Sequence, residues 1–316
     1  MGNTIKDQHH PAIMIEGIQP FGCLIRFDGD LLEILQVSEN LQQILGVSIE
    51  AALASSPRDI LGGKLQQRLQ QTLAKNSRLS AALIINRQVS GSYQRFYVVA
   101  YRSDDSIVVE FESLSRSGEQ RLMPIVNEWL TRLAQVQEIG QLQQMLVQSV
   151  QAVTGYDRVL LCQFDTHWQR TAIAEECRDP DKSLMNFRFP ASDIPLEVRA
   201  RYTVNPMRSI ADVDAEIVGL IPASNEIDLP VVDLTPGILR ALSAYHQQYL
   251  RSINVKASLS IAIAGEQQLW GILTCHDFTP SEISPAERDA AFNLVQMASQ
   301  RMFLLQARQQ AMFLKN

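Results

Sequence analysis

The chain has 316 residues, 46% hydrophobic and 20% charged, with a formal net charge of −6. That length suits two domains of ordinary size, and an acidic chain without a basic run gives nucleic acid no electrostatic footing. No apolar stretch approaches the roughly twenty residues of a membrane helix, and Met1-Gly2-Asn3-Thr4-Ile5-Lys6 has neither the apolar core of a secretory signal nor the Ser or Thr of a myristoylation signal, so a cytoplasmic location is expected.

After an N-terminal segment (1–18), residues 19–118 read as a small α+β unit. Gly22 to Phe27 and Glu33 to Val37 are strand-like, separated by the hairpin signal Asp28-Gly29-Asp30. Ser38 is expected to cap a short helix carrying Leu41, Ile44 and Leu45 that stops at Gly46. A helical stretch including Leu65 to Leu73 follows, then strands at Ala82–Asn86, Phe96–Tyr101 and Ile107–Phe111. This order suits an antiparallel sheet with helices on one side.

Ser115-Arg116-Ser117-Gly118 is a polar break, and residues 119–153 carry helical spacing, the part at 119–135 reading as a connecting helix. A second α+β unit occupies 136–283. Its strands are expected at Arg158–Phe164 and Ala172–Glu175, with a hairpin of Lys256–Ala264 and Gln268–His276 around Gly265-Glu266. Residues 284–316 read as a long helix. Ser284 is its N-cap, Pro285 its first residue, and Glu287 closes a capping box. From Met302 onward, Phe303, Leu304, Met312, Phe313 and Leu314 are expected to form an exposed apolar stripe, which favours a homodimer through this helix. The fold class is therefore α+β: two domains, each an antiparallel sheet with flanking helices, and a long C-terminal helix.

The candidate site residues lie in the second unit. Asp193 sits between Pro190 and Pro195, which fix the backbone around it. Arg208 and Arg240 offer planar forks that match carboxylates. His246 and His276 are titratable, and Tyr202, Ser243, Tyr249, Ser258 and Ser260 supply hydroxyls. Together these groups suit a planar, nitrogen-rich ligand with acidic tails. Taken singly, each has a plainer reading: a turn aspartate, surface or ion-paired arginines, a histidine satisfied at the end of an apolar strand. The four cysteines, Cys23, Cys162, Cys177 and Cys275, form no C-x-x-C pair and read as buried or neutral thiols.

Motifs decide between the readings. Phe189-Pro190-Ala191-Ser192-Asp193-Ile194-Pro195, Tyr202-Thr203-Val204-Asn205-Pro206, Arg208-Ser209-Ile210-Ala211-Asp212-Val213-Asp214 and Leu269-Trp270-Gly271-Ile272-Leu273-Thr274-Cys275-His276 resemble those of the GAF domain of phytochromes. Ile18-Gln19-Pro20-Phe21-Gly22 resembles the run that opens the phytochrome PAS domain, with Phe21 in place of a histidine. The resemblance covers essentially the whole chain and implies a PAS–GAF photosensory module that binds biliverdin or a related linear tetrapyrrole and signals through the C-terminal helix to an output domain or partner protein. It implies that the main chain at Asp193 and Ile194 meets the pyrrole N–H groups, that Arg208 and Arg240 hold a propionate, and that Tyr202, Ser243, Ser258 and Ser260 add donors. His246 and His276 would be the two pocket histidines, one meeting the central pyrroles through water and the other the carbonyl of the terminal ring, with Phe189, Tyr249 and Cys162 around that ring. Cys162 stands where many members have tyrosine, which should loosen the pocket. The resemblance also implies a knotted contact, with Ile18 inside a loop formed by residues about 210–238.

Phytochromes bond the bilin through a thiol at one of two places. Here those places read Ile5-Lys6-Asp7-Gln8 and Tyr245. Three explanations stay open: non-covalent binding, a different thiol (Cys23 or Cys162), or a chromophore-free scaffold that dimerises and relays signals. A GAF domain binding a cyclic nucleotide or haem is a further rival. No catalytic nucleophile pairs with either histidine, so no enzymatic role and no metal site are expected.

Overall fold

The computed structural model describes residues 17–114, 119–224, 229–265 and 268–313. The first domain runs β1 (Gly22–Asp28), β2 (Ile34–Ser38), α1 (Leu41–Leu45), α2 (Ile49–Leu53), α3 (Pro57–Leu61), α4 (Gly63–Leu73), β3 (Leu83–Val89), β4 (Ser92–Ser103) and β5 (Ser106–Leu114). The helices α5 (Glu119–Gln135) and α6 (Ile139–Thr154) lead into the second domain. There β6 (Arg158–Phe164), β7 (Arg170–Cys177) and β8 (Arg188–Phe189) precede α7 (Leu196–Val204), β9 (Met207–Ile210) and β10 (Leu220–Pro222). The chain closes with α8 (Ala244–Ser252), β11 (Ala257–Ala264), β12 (Leu269–Asp277) and α9 (Pro285–Phe313).

Each domain is built on an antiparallel sheet. The first has strand order β10-β2-β1-β5-β4-β3 and the second β8-β7-β6-β12-β11-β9. Side chains alternate across a strand, and in the first domain that alternation separates two buried faces. Ile25, Phe27, Val98, Ala100, Val109 and Phe111 pack with the helices α1–α4 in one core. Leu24, Val99, Tyr101 and Val108 pack on the other side with Val232, Leu234 and Leu239 from the second domain. The second sheet also has two covered faces. Val159, Leu161, Leu259, Ile261, Leu273 and Cys275 meet a layer made by α5, α6 and α9.

The domains are interleaved rather than merely adjacent. β10, from the second domain, pairs with the edge strand β2, with Leu220 opposite Ser38. Ile18 exchanges backbone hydrogen bonds with Val218 (2.9 Å each way), while Gln19 N–H donates to the Leu239 carbonyl at 2.7 Å and Ala241 N–H to Gly17 at 3.1 Å. The Gln19 amide group donates to Ser209 O at 2.9 Å and accepts from Ala211 N–H at 3.2 Å. Residues 17–19 are thus held between residues 209–218 and 239–241. The segment Leu220–Pro222, expected as loop, is a strand because it completes the first sheet.

Three expectations need correction. Ser38 does not cap α1: it ends β2, and its hydroxyl accepts from Leu24 N–H at 3.0 Å, while Asn40 precedes the helix without a side-chain cap. The helix expected over 119–153 is two helices, interrupted at residues 136–138. The apolar stripe of α9 is partly covered, because α5 and α6 bury Met302 and Leu305, and Phe303 packs edge-on against Trp270. Leu304 and Met312 remain exposed at 45% and 68%. The side chain of Phe313, and Leu314, lie outside the described residues. The capping box has the expected geometry: Glu287 N–H donates to Ser284 Oγ at 3.3 Å, and Ser284 N–H to Glu287 Oε2 at 2.7 Å.

Candidate functional site

The face of the second sheet away from the helices forms the floor of a cavity of about 550 Å³, the size range of ligand pockets. Register sets its chemistry. In β12 the residues Ile272, Thr274 and His276 share one face by period-two alternation. Ser258 lies opposite His276 and Ser260 opposite Thr274 in β11, and Arg208 of β9 lies opposite Ser260. A row of hydroxyls therefore leads from His276 to Arg208.

The helices α7 and α8 and the turn Ala191–Asp193 form the walls. Ser243 precedes α8, and its hydroxyl accepts from His246 N–H at 3.2 Å, a capping bond that fixes where His246 enters the cavity. Tyr245 donates from its phenol to Ser192 O at 3.0 Å, tying α8 to the turn that carries Asp193. Tyr202 lies on α7, and Ile194 and Tyr249 also line the space.

Arg170 on β7 organises the end near Asp193. Its guanidinium pairs with the Asp193 carboxylate at 3.1 Å, donates to Tyr249 Oη at 2.8 Å, and stacks 4.4 Å from the Phe189 ring centroid. Its Nε is buried without a partner among the described residues. The opposite chemistry occupies a side pocket shared by Arg201, Tyr202, Arg208, Arg240 and His246. None of these three arginines forms an ion pair with a described residue; Arg208 donates to the Ala241 carbonyl at 2.8 Å. Of the acids that act on these arginines, Asp233 on Arg240 and Glu110 on Arg208, Glu110 is spent elsewhere. It accepts from Ile238 N–H (2.6 Å), Leu239 N–H (3.2 Å) and the Tyr101 phenol (2.8 Å), and burial pushes its carboxyl up to about 7 despite those bonds.

The cluster is thus a concentration of positive charge with little neutralisation. Burial and the neighbouring Arg201 pull Arg240 down to about 10. Burial, then Arg208, Arg240 and Arg170, hold His246 down to about 3, so it is neutral near pH 7. His276 is likewise held well below the usual histidine range, by burial first and then by Arg158, Arg170 and His246. A cavity of this kind favours an anion with apolar bulk and hydrogen-bonding edges.

The structure brings most of the expected site residues to this cavity: Asp193, Ile194, Tyr202, Arg208, Arg240, Ser243, His246, Tyr249, Ser258, Ser260 and His276. Phe189 and Cys162 do not line it. They sit beside it on the same face of the sheet, packed with Leu160, Ala172 and the cavity-lining Ile272, and Arg170 stacks on Phe189. The two thiols considered as substitutes, Cys23 and Cys162, are buried. Burial pushes Cys162 up to about 11, and Cys23 lies in the first domain's core with its thiol pushed higher still. None of the four cysteines lines the cavity. Ile5 to Gln8 lie outside the described residues.

The motif reading missed Arg158, Arg170 and Arg201. A signal existed for two of them. Arg158 is in phase with Leu160 and Cys162, and Arg170 with Ala172 and Ala174, so both are charged residues on the inward face of an apolar strand. Arg201 gave no such signal beyond its place beside Tyr202.

Comparison with known proteins agrees with this architecture. Residues 10–114 match the family model of a PAS fold, and residues 138–302 that of a GAF domain. The chain is 32% identical over 308 residues to cyanobacterial phytochrome B of Nostoc sp. (strain PCC 7120), covering 96% of this chain and 40% of that protein. It is 33% identical over 274 residues to the phytochrome-like protein Cph1 of Synechocystis sp. (84% and 36%). Among solved structures, the chromophore-binding domain of an unusual bacteriophytochrome, RpBphP3 from R. palustris, superimposes with a TM-score of 0.83 at 27% identity, over 95% of this chain and 99% of that one. The photosensory core module of Stigmatella aurantiaca phytochrome gives 0.84 at 26% identity, over 96% and 61%. The chain spans about 40% of the length of the curated relatives it matches.

A cavity floored by a GAF sheet and interleaved with a PAS fold is the architecture of the solved bacteriophytochrome domain named above. The chain belongs to the phytochrome family, in which it forms the PAS–GAF portion without a cysteine at either customary attachment place. Among the described residues no helix is long and apolar enough to cross a membrane.

Proposed function

We propose that this module binds a linear tetrapyrrole of the biliverdin type in the GAF cavity without a covalent bond, and that it acts as a red/far-red photosensor rather than an enzyme. The observation that carries the reading is the cluster of Arg201, Arg208 and Arg240, without an ion pair among the described residues, beside a cavity that no thiol lines. The residues fit such a ligand. Its propionates would meet guanidinium forks, and its ring edges would meet Ser258, Ser260, Thr274 and His276 along the floor. The bound pigment supplies the light-driven isomerisation of a bridging double bond.

The protein's part is to orient and to insulate. Arg208 and Arg240 fix the acidic side of the ligand, and uncompensated buried charge gives them a strong preference for a carboxylate partner. Neutral His246 offers a hydrogen bond without adding charge. The Tyr245–Ser192 contact ties α8 to the Asp193 turn at one rim. Changes at the floor reach α9 through the opposite face of the same sheet, where Leu259, Ile261 and Leu273 pack against the helical layer. We read α9 as the output element, acting in a homodimer on a downstream domain or partner protein in the cytoplasm.

The test is to mix purified apoprotein with biliverdin, record the absorption spectrum, and stain a denaturing gel with zinc. A sharp red band without zinc fluorescence is expected. A spectrum unchanged from free biliverdin, and from free phycocyanobilin in a parallel trial, would overturn the reading in favour of a chromophore-free scaffold.

A further inference from the structure

Arg158 and His276 face each other in the ladder between β6 and β12. Both are almost wholly removed from solvent, at 3% and 5% exposure. Arg158 Nη2 and Nε lie 3.0 and 3.3 Å from His276 Nδ1. A guanidinium has five N–H donors, no acceptor, and keeps its charge. The Nδ1 atom that it faces must therefore accept, and an imidazole that accepts at Nδ1 carries its proton on Nε2. An imidazolium would set N–H against N–H beside a cation. The other charged or titratable groups acting on this imidazole, Arg170 and His246, oppose that form too.

The guanidinium is itself restrained. Arg158 Nη1 donates to the Lys182 carbonyl at 2.6 Å, and its carbon lies 5.4 Å from the Phe278 ring centroid. Reorienting it would break these contacts in a buried place, where an unmade hydrogen bond to a charged group is expensive. Nε2 makes no hydrogen bond to the described protein residues, and His276 lines the cavity.

We propose that Arg158 is a positioning residue that locks His276 in the Nε2–H tautomer, so that this point of the floor offers a ligand one fixed N–H donor and no acceptor. A fixed donor suits the terminal-ring carbonyl that the resemblance to phytochromes already implies for one pocket histidine; what is new is the part of Arg158. That carbonyl rests on the tetrapyrrole reading above, whereas the tautomer does not.

The test uses the chain labelled with ¹⁵N-histidine, without bilin, and long-range ¹H–¹⁵N spectra. His276 is assigned by the signal lost in His276→Gln. In the wild type His276 is expected as the Nε2–H tautomer, unchanged across about pH 5 to 8, the window in which free histidine titrates. In Arg158→Met it should become a tautomer mixture or titrate, and Arg158→Lys should restore the wild-type pattern in part. An Nδ1–H or imidazolium signal in the wild type overturns the proposal, and so does an unchanged tautomer in folded Arg158→Met. If Arg158→Met does not fold, the wild-type spectrum still decides. With biliverdin added, the variant's red band should shift and become pH-dependent. A wild type that shows the Nε2–H tautomer yet gives no red band with either bilin leaves this inference standing and removes the tetrapyrrole reading alone.

Discussion

Arg288 at the start of α9 and Glu112 on β5 form a two-armed ion pair that joins the PAS sheet directly to the C-terminal helix. Nη1 donates to Oε1 at 2.9 Å and Nη2 donates to Oε2, with the two residues only 2% and 1% exposed. The neighbouring Tyr97 phenol donates to Asp289 at 3.1 Å. Removing one partner strands a buried charge, which typically costs about 3–5 kcal/mol. Glu112→Ala should therefore lower the urea midpoint markedly, while the double change Glu112→Leu with Arg288→Met should recover much of the loss. Equal midpoints for Glu112→Ala and wild type would show that the pair contributes nothing net.

Arg208→Ala and Arg240→Ala should each weaken biliverdin binding at least tenfold, which is about 1.4 kcal/mol. The dimethyl ester of biliverdin should bind the wild type weakly as well, and the two variants should discriminate less between acid and ester. Titration by absorbance reads both effects. Preserved acid-over-ester preference in the variants would mean that these arginines do not meet the carboxylates.

Acid should destabilise the apoprotein through His246. Its folded pKa, about 3, lies below the ordinary histidine value. The unfolded chain then binds more protons than the fold over the interval between them, so stability rises with pH there. Stability is fully present above about pH 6.5, the ordinary histidine value, and falls as pH drops toward the folded value. His276 acts in the same direction. His246→Gln should flatten the slope of unfolding free energy against pH in that interval; an identical slope would assign the acid sensitivity to other groups.

Gly237→Ala should loosen the junction between the domains. A Cβ at this position would lie 1.9 Å from Glu110 Oε1 and 2.7 Å from the Tyr101 phenol oxygen, so the carboxylate that accepts from Ile238 and Leu239 would have to move. Overpacking of this kind typically costs about 1–3 kcal/mol. Faster hydrogen exchange at residues 238–241 is the expected signature, and unchanged exchange would show that the loop absorbs the methyl.

Much of this arrangement is legible from local pattern. The alternation in β11 and β12 places Ser258, Ser260, Thr274 and His276 on one face and Leu259, Ile261, Leu273 and Cys275 on the other, and the capping chemistry of Ser284 and Glu287 starts α9 correctly. Local pattern fails where the cover of a surface comes from far along the chain. Arg26, Glu110 and Glu112 alternate with apolar neighbours and so read as a solvated face. They are buried because residues 230–239 and α9 close over them; Arg26, for instance, donates to the Pro230 carbonyl at 2.8 Å. Arg158 and Arg170 are covered in the same way, Arg170 at the cavity and Arg158 by His276 and the Lys182 carbonyl. Ser38 misled because a serine before an apolar helical run usually caps it, whereas here a neighbouring strand claims the hydroxyl.

The strap of residues 17–19 has a consequence for how the molecule is made. A ribosome releases the chain from its N-terminus, so the first sheet can assemble while its edge strand β2 lacks β10 and Ile18 lacks Val218. The Gln19–Ser209 contact joins positions 190 apart. Until that downstream stretch emerges, the nascent polypeptide carries an unpaired edge and an uncovered apolar face, both templates for association with other chains. Truncations ending before β9 should on that account be recovered as aggregates or chaperone-bound species, and translation tempo through residues 115–208 should govern the yield of soluble product.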